Sequence, residues 1–283
     1  VREATLAIAD GVGVRGLLNI QFALAGETLY VIEANPRASR TVPFVSKASG
    51  VPLAKAAARI MTGTTIAGLR EEGMLPEGDF THAPVGAPIA VKEAVLPFKR
   101  FLDPQGRAVD TVLGPEMRST GEVMGIDRSF GLAFAKSQIA AGDRLPESGT
   151  VFFSLADRDK PNGVIAARAF LALGFDLVAT EGTAAALESA GVPVSRRLSK
   201  LGDAGDDAPT AVDLIRSGEI QMVVNSPRGR GPRADGGYIR AAAGVAGIPL
   251  LTTASAALAA AEGMTDWSNH ELQVKSLQEF HQR

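Results

Sequence analysis

Five polar residues near the start of the chain have types and spacing that could do chemistry: Gln21, Glu33, Asn35, Arg37 and Arg40. They lie in the text NIQFALAGETLYVIEANPRASRTVPF. Two short apolar runs, LLNIQFAL and TLYVIEAN, flank a Gly-Glu turn, the signature of a β-hairpin. On paired antiparallel strands the side chains of Gln21 and Glu33 would converge on one face. Asn35 follows Glu33 by two residues and shares that face. One carboxylate and two amide oxygens suit Mg²⁺, a hard cation that takes oxygen ligands and bridges phosphates. Arg37 and Arg40 follow at once and could neutralise phosphate charge. The combination is fit for metal-assisted phosphoryl transfer. The alternative is an amphipathic hairpin whose polar face is simply solvated.

The elements that must position these residues follow from periodicity. Residues 1–12 have a weak apolar helical face, and the hairpin comes next. Val51 to Met61 reads as a helix with Pro52 in its first turn and Gly63 beyond its end. Residues 68–88, rich in Gly, Pro and charge, read as a loop. IAVKEAVLPF alternates as a strand, the stretch from Leu102 to Phe130 as turns and short extended pieces, and SFGLAFAKSQIAAG as a helix ending at Gly142. The composition shifts at DRLPESG, so residues 143–149 are read as a linker between a first domain, 1–142, and a second, 150–283. From residue 150 onward strand and helix patterns alternate about five times, the order of a doubly wound parallel sheet. A weak stripe of Leu272, Leu277 and Phe280 suggests a final helix, 269–282, docked on that sheet domain. The fold class expected is α/β.

Ligands of such sheets bind outside the carboxyl ends of the strands. Those ends carry SLADRDK, VATEGT, RLSKLG and VVNSPRGR. Thr180 and Thr183 around Gly182, where a helix begins, could cradle phosphate, with Lys160 and Lys200 adding charge and Asn225 and Ser226 adding hydrogen bonds. The plainer role for the two threonines is capping. Arg228, Arg230 and Arg233 could reach a phosphate or be surface charge. None of the three histidines, His82, His270 and His281, falls at a sheet strand end, which argues for binding without acid–base catalysis there.

The totals exclude several classes. A formal charge of −2 gives no electrostatic case for nucleic acid or a membrane surface. With no cysteine there are neither disulfides nor thiolate metal sites. No apolar run approaches the ~20 residues of a membrane span, and no basic-then-apolar leader opens the chain; the cytoplasm is the expected compartment. Val1 sits in a helix pattern already under way, so a chain beginning inside a domain is expected.

Pro36, Pro43 and the run RASRTVPFVSKASGVPLAKAAARIM make the first part of the chain resemble the second ATP-grasp unit of the carbamoyl phosphate synthase large-subunit family. Biotin carboxylases share Glu-x-Asn-x-Arg but continue differently. The resemblance implies a partial ATP-grasp lobe, α+β with an antiparallel sheet. In it Gln21, Glu33 and Asn35 hold Mg²⁺ or Mn²⁺ between ATP phosphates, and Arg37 and Arg40 contact phosphate or the carboxy-phosphate and carbamate chemistry. VKEAVLPF and LGPEMRSTGEVMG resemble the end of the same unit. The last third looks like the methylglyoxal-synthase-like domain of that family. There Lys160, Thr180, Thr183, Lys200 and Asn225 fall on positions that bind a nucleoside monophosphate effector, UMP or IMP, although NSPRGRGPRADG departs from the enterobacterial text. Glu93 and Thr252 fall on positions that contact ornithine; for Glu93 a salt bridge across the sheet is the alternative.

The resemblance implies phosphorylation of carbamate by ATP to carbamoyl phosphate, for pyrimidine and arginine synthesis. It also implies an oligomeric enzyme with a glutaminase small subunit as partner. The chain alone, lacking the lobe that encloses adenine, is expected to be inactive. The rivals are another ATP-grasp ligase, such as a biotin carboxylase, and a nucleotide-sensing module with no catalysis of its own.

Overall fold

The computed structural model describes residues 1–78, 85–96, 111–113, 116–199, 209–226 and 235–281. They form two compact units, Val1–Pro88 with Val274–Arg283, and Ile89–Gln273.

The first unit opens with helix α1 (Arg2–Val12), closed by Gly13 at φ 67°. Strands β1 (Asn19–Ala25) and β2 (Thr28–Asn35) pair antiparallel around Gly26 and Glu27. Gly26 takes φ 61°, which glycine adopts without a Cβ penalty. The ladder pairs Gln21 with Glu33 but Phe22 with Val31, so Ile32 is an extra residue and the hairpin is bulged there. Helix α2 (Thr41–Ser49) tolerates Pro43 because it lies in the first turn, where amides have no helical partner. It stops at Gly50, φ 73°. Helix α3 (Leu53–Met61) packs on α2 and buries Ala56 and Ala57. Helix α4 (Ile66–Glu71), capped by Thr65, runs into the stretch from residue 68 expected to be loop; it buries Leu69 completely.

The second unit begins with the antiparallel pair β3 (Ile89–Ala94) and β4 (Glu122–Asp127). Helix α5 (Phe130–Ala141) follows, capped by the Ser129 hydroxyl and ended by Gly142 at φ 95°. β4 presses on α5 so closely that a Cβ at Gly125 would stand 1.9 Å from the carbonyl oxygen of Ala133. Then come β5 (Thr150–Ser154), a 3₁₀ turn at Asp157–Asp159, α6 (Lys160–Ala172), β6 (Asp176–Thr180), α7 (Glu181–Ser189) and β7 (Arg196–Leu198). The unit closes with α8 (Ala211–Arg216), β8 (Met222–Asn225), α9 (Asp235–Ala246), β9 (Leu250–Leu251) and α10 (Ala254–Asn269). The five parallel strands lie in the order β7-β6-β5-β8-β9. Central strands buried on both faces read as continuous apolar runs: Val151, Phe152 and Phe153 of β5 are all fully buried. Alternation sends Phe153 into a core with Phe170, Leu187 and Met264, and Phe152 into a second core with Ile215, Ile239 and Leu198. Helices therefore cover both faces, as the strand–helix alternation required.

One expectation is corrected below. The division into compact units falls between residues 88 and 89, because α5 packs between the β3–β4 pair and α10. Glycines permit that packing: Gly263 of α10 approaches Gly131 and Phe134 of α5. The final helix is not a sheet-docked segment over 269–282. α10 runs to Asn269, and a short helix α11 (Leu277–His281) belongs to the first unit. Its anchor is polar: His281 Nε2 lies 2.6 Å from the Lys47 carbonyl, with the ring against Gly50. The weak apolar stripe carried no information about which surface it would meet.

Candidate functional site

In the first unit the hairpin register places Gln21 directly opposite Glu33 and Asn19 opposite Asn35. Asn35 Nδ2 donates to Glu33 Oε1 at 2.9 Å. That bond fixes the Asn35 amide with its Oδ1 available, beside the remaining Glu33 oxygen. Gln21 and Glu33 are exposed and Asn35 half-buried. The chain turns at Pro36, where the Arg37 amide donates to the Asn35 carbonyl at 2.9 Å, and Arg40 sits at the N-terminus of α2. Between the two arginines, the hydroxyl of Ser39 is out of solvent contact and has no hydrogen-bond partner among the described residues. Gln21, Glu33 and Asn35 are thus brought together, with Arg37 and Arg40 following two and five residues after Asn35 in the chain. Among the described residues no three His, Asp or Glu side chains cluster as a metal cage. A cation here would rest on one carboxylate, amide oxygens and the oxygens of its ligand, a set that fits Mg²⁺.

The second site is the carboxyl edge of the parallel sheet. The strand order reverses direction between β5 and β8, so a crevice forms outside their ends. The residues there are interlocked. Thr183, fully buried, accepts the Leu155 amide at 3.0 Å and the Thr180 hydroxyl at 3.1 Å. Thr180 occupies the N-cap position of α7 without capping it through its side chain, so the capping alternative does not hold for it. Ser226 Oγ accepts the Ala156 amide at 2.8 Å. Lys160 Nζ pairs with Asp157 at 2.7 Å. Asn225 ends β8, and Thr252 follows β9 at the same edge. Arg240 of α9, only 3% exposed, donates Nη1 to Asn225 Oδ1 at 2.8 Å. Sequence reasoning missed Arg240; the available signal was a lone cation in the otherwise small and apolar run IRAAAGVAG. Lys200, Arg228, Arg230 and Arg233, and His82, lie outside the described residues.

Glu93 lies on β3 and accepts Gln138 Nε2 at 2.9 Å. Burial raises its pKa above the ordinary carboxylate value, with the Gln138 bond opposing and Asp143 adding to the rise. Among the described residues it has no basic partner; the cross-strand ion pair of this hairpin is instead Lys92 with Glu122, 3.2 Å apart.

The sequence matches two family models. Residues 1–69 match the carbamoyl-phosphate synthase L chain ATP binding domain, and residues 162–252 match the MGS-like domain. The carbamoyl phosphate synthase large chain of Mycobacterium tuberculosis is 57% identical over 99% of this chain. Those of Kocuria rhizophila and Streptomyces coelicolor are each 56% identical, over 100% and 99% of it. The chain spans about a quarter of the length of these curated relatives, 26% in each case. No described helix is long and apolar enough to cross a membrane. With both domain models matched in order and more than half of its residues shared with these proteins, the chain belongs to the carbamoyl phosphate synthase large-chain family.

Proposed function

We propose that this chain supplies the metal-binding hairpin of an ATP-grasp site that phosphorylates carbamate, together with the domain that regulates it. The observation that carries the reading is the Gln21–Glu33 cross-strand pair with Asn35 bonded to Glu33. Glu33, Asn35 and Gln21 would hold Mg²⁺ or Mn²⁺, which would neutralise phosphate charge during the transfer. Arg37 and Arg40, with the unpartnered Ser39 hydroxyl between them, would orient the transferring phosphoryl group. In the reaction a carbamate oxygen attacks the γ-phosphorus, the bond to the β-bridging oxygen breaks, and carbamoyl phosphate and ADP result. Positioning and charge stabilisation carry such a transfer, with little covalent work for the protein.

The carboxyl edge of the parallel sheet would bind a nucleoside monophosphate, UMP or IMP, through Thr180, Thr183, Lys160 and Asn225, and Lys200 is proposed to join them. Ornithine is proposed to act near Glu93 and Thr252. The product would serve pyrimidine and arginine synthesis in the cytoplasm, in an oligomer with a glutaminase small subunit supplying ammonia.

The test is Glu33→Gln in a large chain carrying this sequence, assayed with its small subunit. Carbamoyl phosphate formation should be lost, while bicarbonate-dependent ATP hydrolysis by the other half persists. Synthesis near the wild-type rate at low Mg²⁺ would overturn the assignment. The chain alone should show no synthesis and weak ATP binding, but a thermal shift with UMP or IMP. A large shift with ATP–Mg²⁺ that Glu33→Gln abolishes, with none from either monophosphate, would reverse the roles of the two units.

A further inference from the structure

Arg240 is a buried cation with no part in the hairpin chemistry, and it reaches the crevice edge through Asn225. A guanidinium only donates. The atom of Asn225 facing it must therefore be the amide oxygen, and the amide orientation is set rather than ambiguous. The Nδ2 group is left on the other side. It carries two hydrogens, and its contact is the Ser154 carbonyl at a long 3.4 Å. Asn225 is only 2% exposed, so an under-used donor there calls for an acceptor.

The neighbouring groups are in the same condition. Thr183 Oγ1 already accepts two hydrogen bonds and Ser226 Oγ one, each from within the fold. Each hydroxyl keeps its own proton to give. The backbone protects the arrangement: a Cβ on Gly236 would stand 2.7 Å from Arg240 Nη1 and 3.0 Å from Asn225 Oδ1.

We infer that Arg240 is a positioning residue that locks Asn225 as a donor. The edge thereby offers donors while its acceptors are spent internally, and it selects an oxyanion that has no proton to give: the dianion of a phosphomonoester. This rests on the reading of the edge as a phosphate site.

The experiment measures binding of UMP, inorganic phosphate and sulfate to the whole chain at pH 8 by calorimetry. Sulfate, which carries no proton, should compete with inorganic phosphate within about tenfold. Asn225→Asp keeps the size and gives Arg240 a carboxylate partner, so it should fold. It should weaken UMP binding at least about tenfold, the scale of one hydrogen bond to a charged partner. Arg240→Met should weaken UMP binding likewise, and Arg240→Lys should restore part of it. Should Arg240→Met fail to fold, Asn225→Asp and the sulfate competition decide. Wild-type affinity for UMP in a folded Asn225→Asp variant, or rejection of sulfate by a site that takes phosphate, overturns this inference alone. If the wild type binds none of the three anions, the phosphate reading of the edge falls, and this inference with it.

Discussion

The two candidate sites are built in opposite ways. The hairpin of the first unit carries its polar groups on a two-stranded ladder and just after it: Gln21, Glu33, Arg37 and Arg40 are exposed. At the sheet edge of the second unit, Thr183, Asn225 and Ser226 are buried and bonded to the backbone of the crossing between β5 and α6. On the proposed reading, function and stability would rest on different atoms in the first and on the same atoms in the second. The open arrangement keeps side chains accessible to a cation and phosphates that bring their own oxygens. The closed one fixes donors before a ligand arrives, which lowers the ordering cost of binding.

Substitutions can break this contrast. The largest effect is expected in the core beneath the sheet edge. Phe153→Ala empties a fully buried position and should cost about 3–5 kcal/mol, lowering the melting temperature of that unit by roughly 6–20 °C in calorimetry. Next comes Thr183→Ala, which strands the buried Leu155 amide. It should cost about 1–3 kcal/mol and also weaken monophosphate binding. Stability loss without any change in binding would separate the two roles and end the contrast.

A smaller, pH-dependent effect is expected at Glu93. Its pKa is raised in the folded state, chiefly by burial. Between the unfolded value of 4.5 and that raised value the native state binds the extra proton. The stability this group contributes is therefore fully present below 4.5 and lost as pH rises through the raised pKa. Glu93→Gln keeps an acceptor for Gln138 and removes the charge. It should match the wild type in acid and exceed it at neutral pH, read as melting temperature against pH. Smallest of all, Ile32→Ser on the hairpin, where the side chain is 59% exposed, should change stability by less than about 0.5 kcal/mol. A loss comparable to Thr183→Ala would mean that the hairpin is a packed site after all.

The hairpin site was legible because its signals are local. A Gly-Glu turn and a period of two give the hairpin itself; a regular ladder from that turn would set Gln21 across from Ile32, and the extra residue in β2 brings Glu33 there. The alternating strands of the sheet were legible for the same reason, and the carboxyl-edge residues followed from topology. What was not legible depended on long-range packing. The segment DRLPESG reads as a linker by composition, while the packing of α5 on the β3–β4 pair and α10, which groups residues 89–273 by contact, leaves no such mark in the sequence. α4 runs into a Gly- and Pro-rich stretch, and its one buried leucine leaves no periodicity to read. Arg240 escaped because a cation among alanines becomes chemically meaningful only once β8 brings Asn225 beside it.

The extra residue in β2 has a consequence for length changes in this hairpin. Seven cross-strand pairs run from Asn19↔Asn35 to Ala25↔Thr28, and Ile32 is the only residue between them without a partner. Deleting Ile32 would leave every one of the seven pairs satisfiable. Deleting any paired residue of either strand would throw the rungs on one side of the gap out of phase and part Gln21 from Glu33 or loosen the turn. Ile32 is therefore a spacer that the ladder does not use. What it contributes is the bend that swings the chemically equipped end of the hairpin away from the line of its turn.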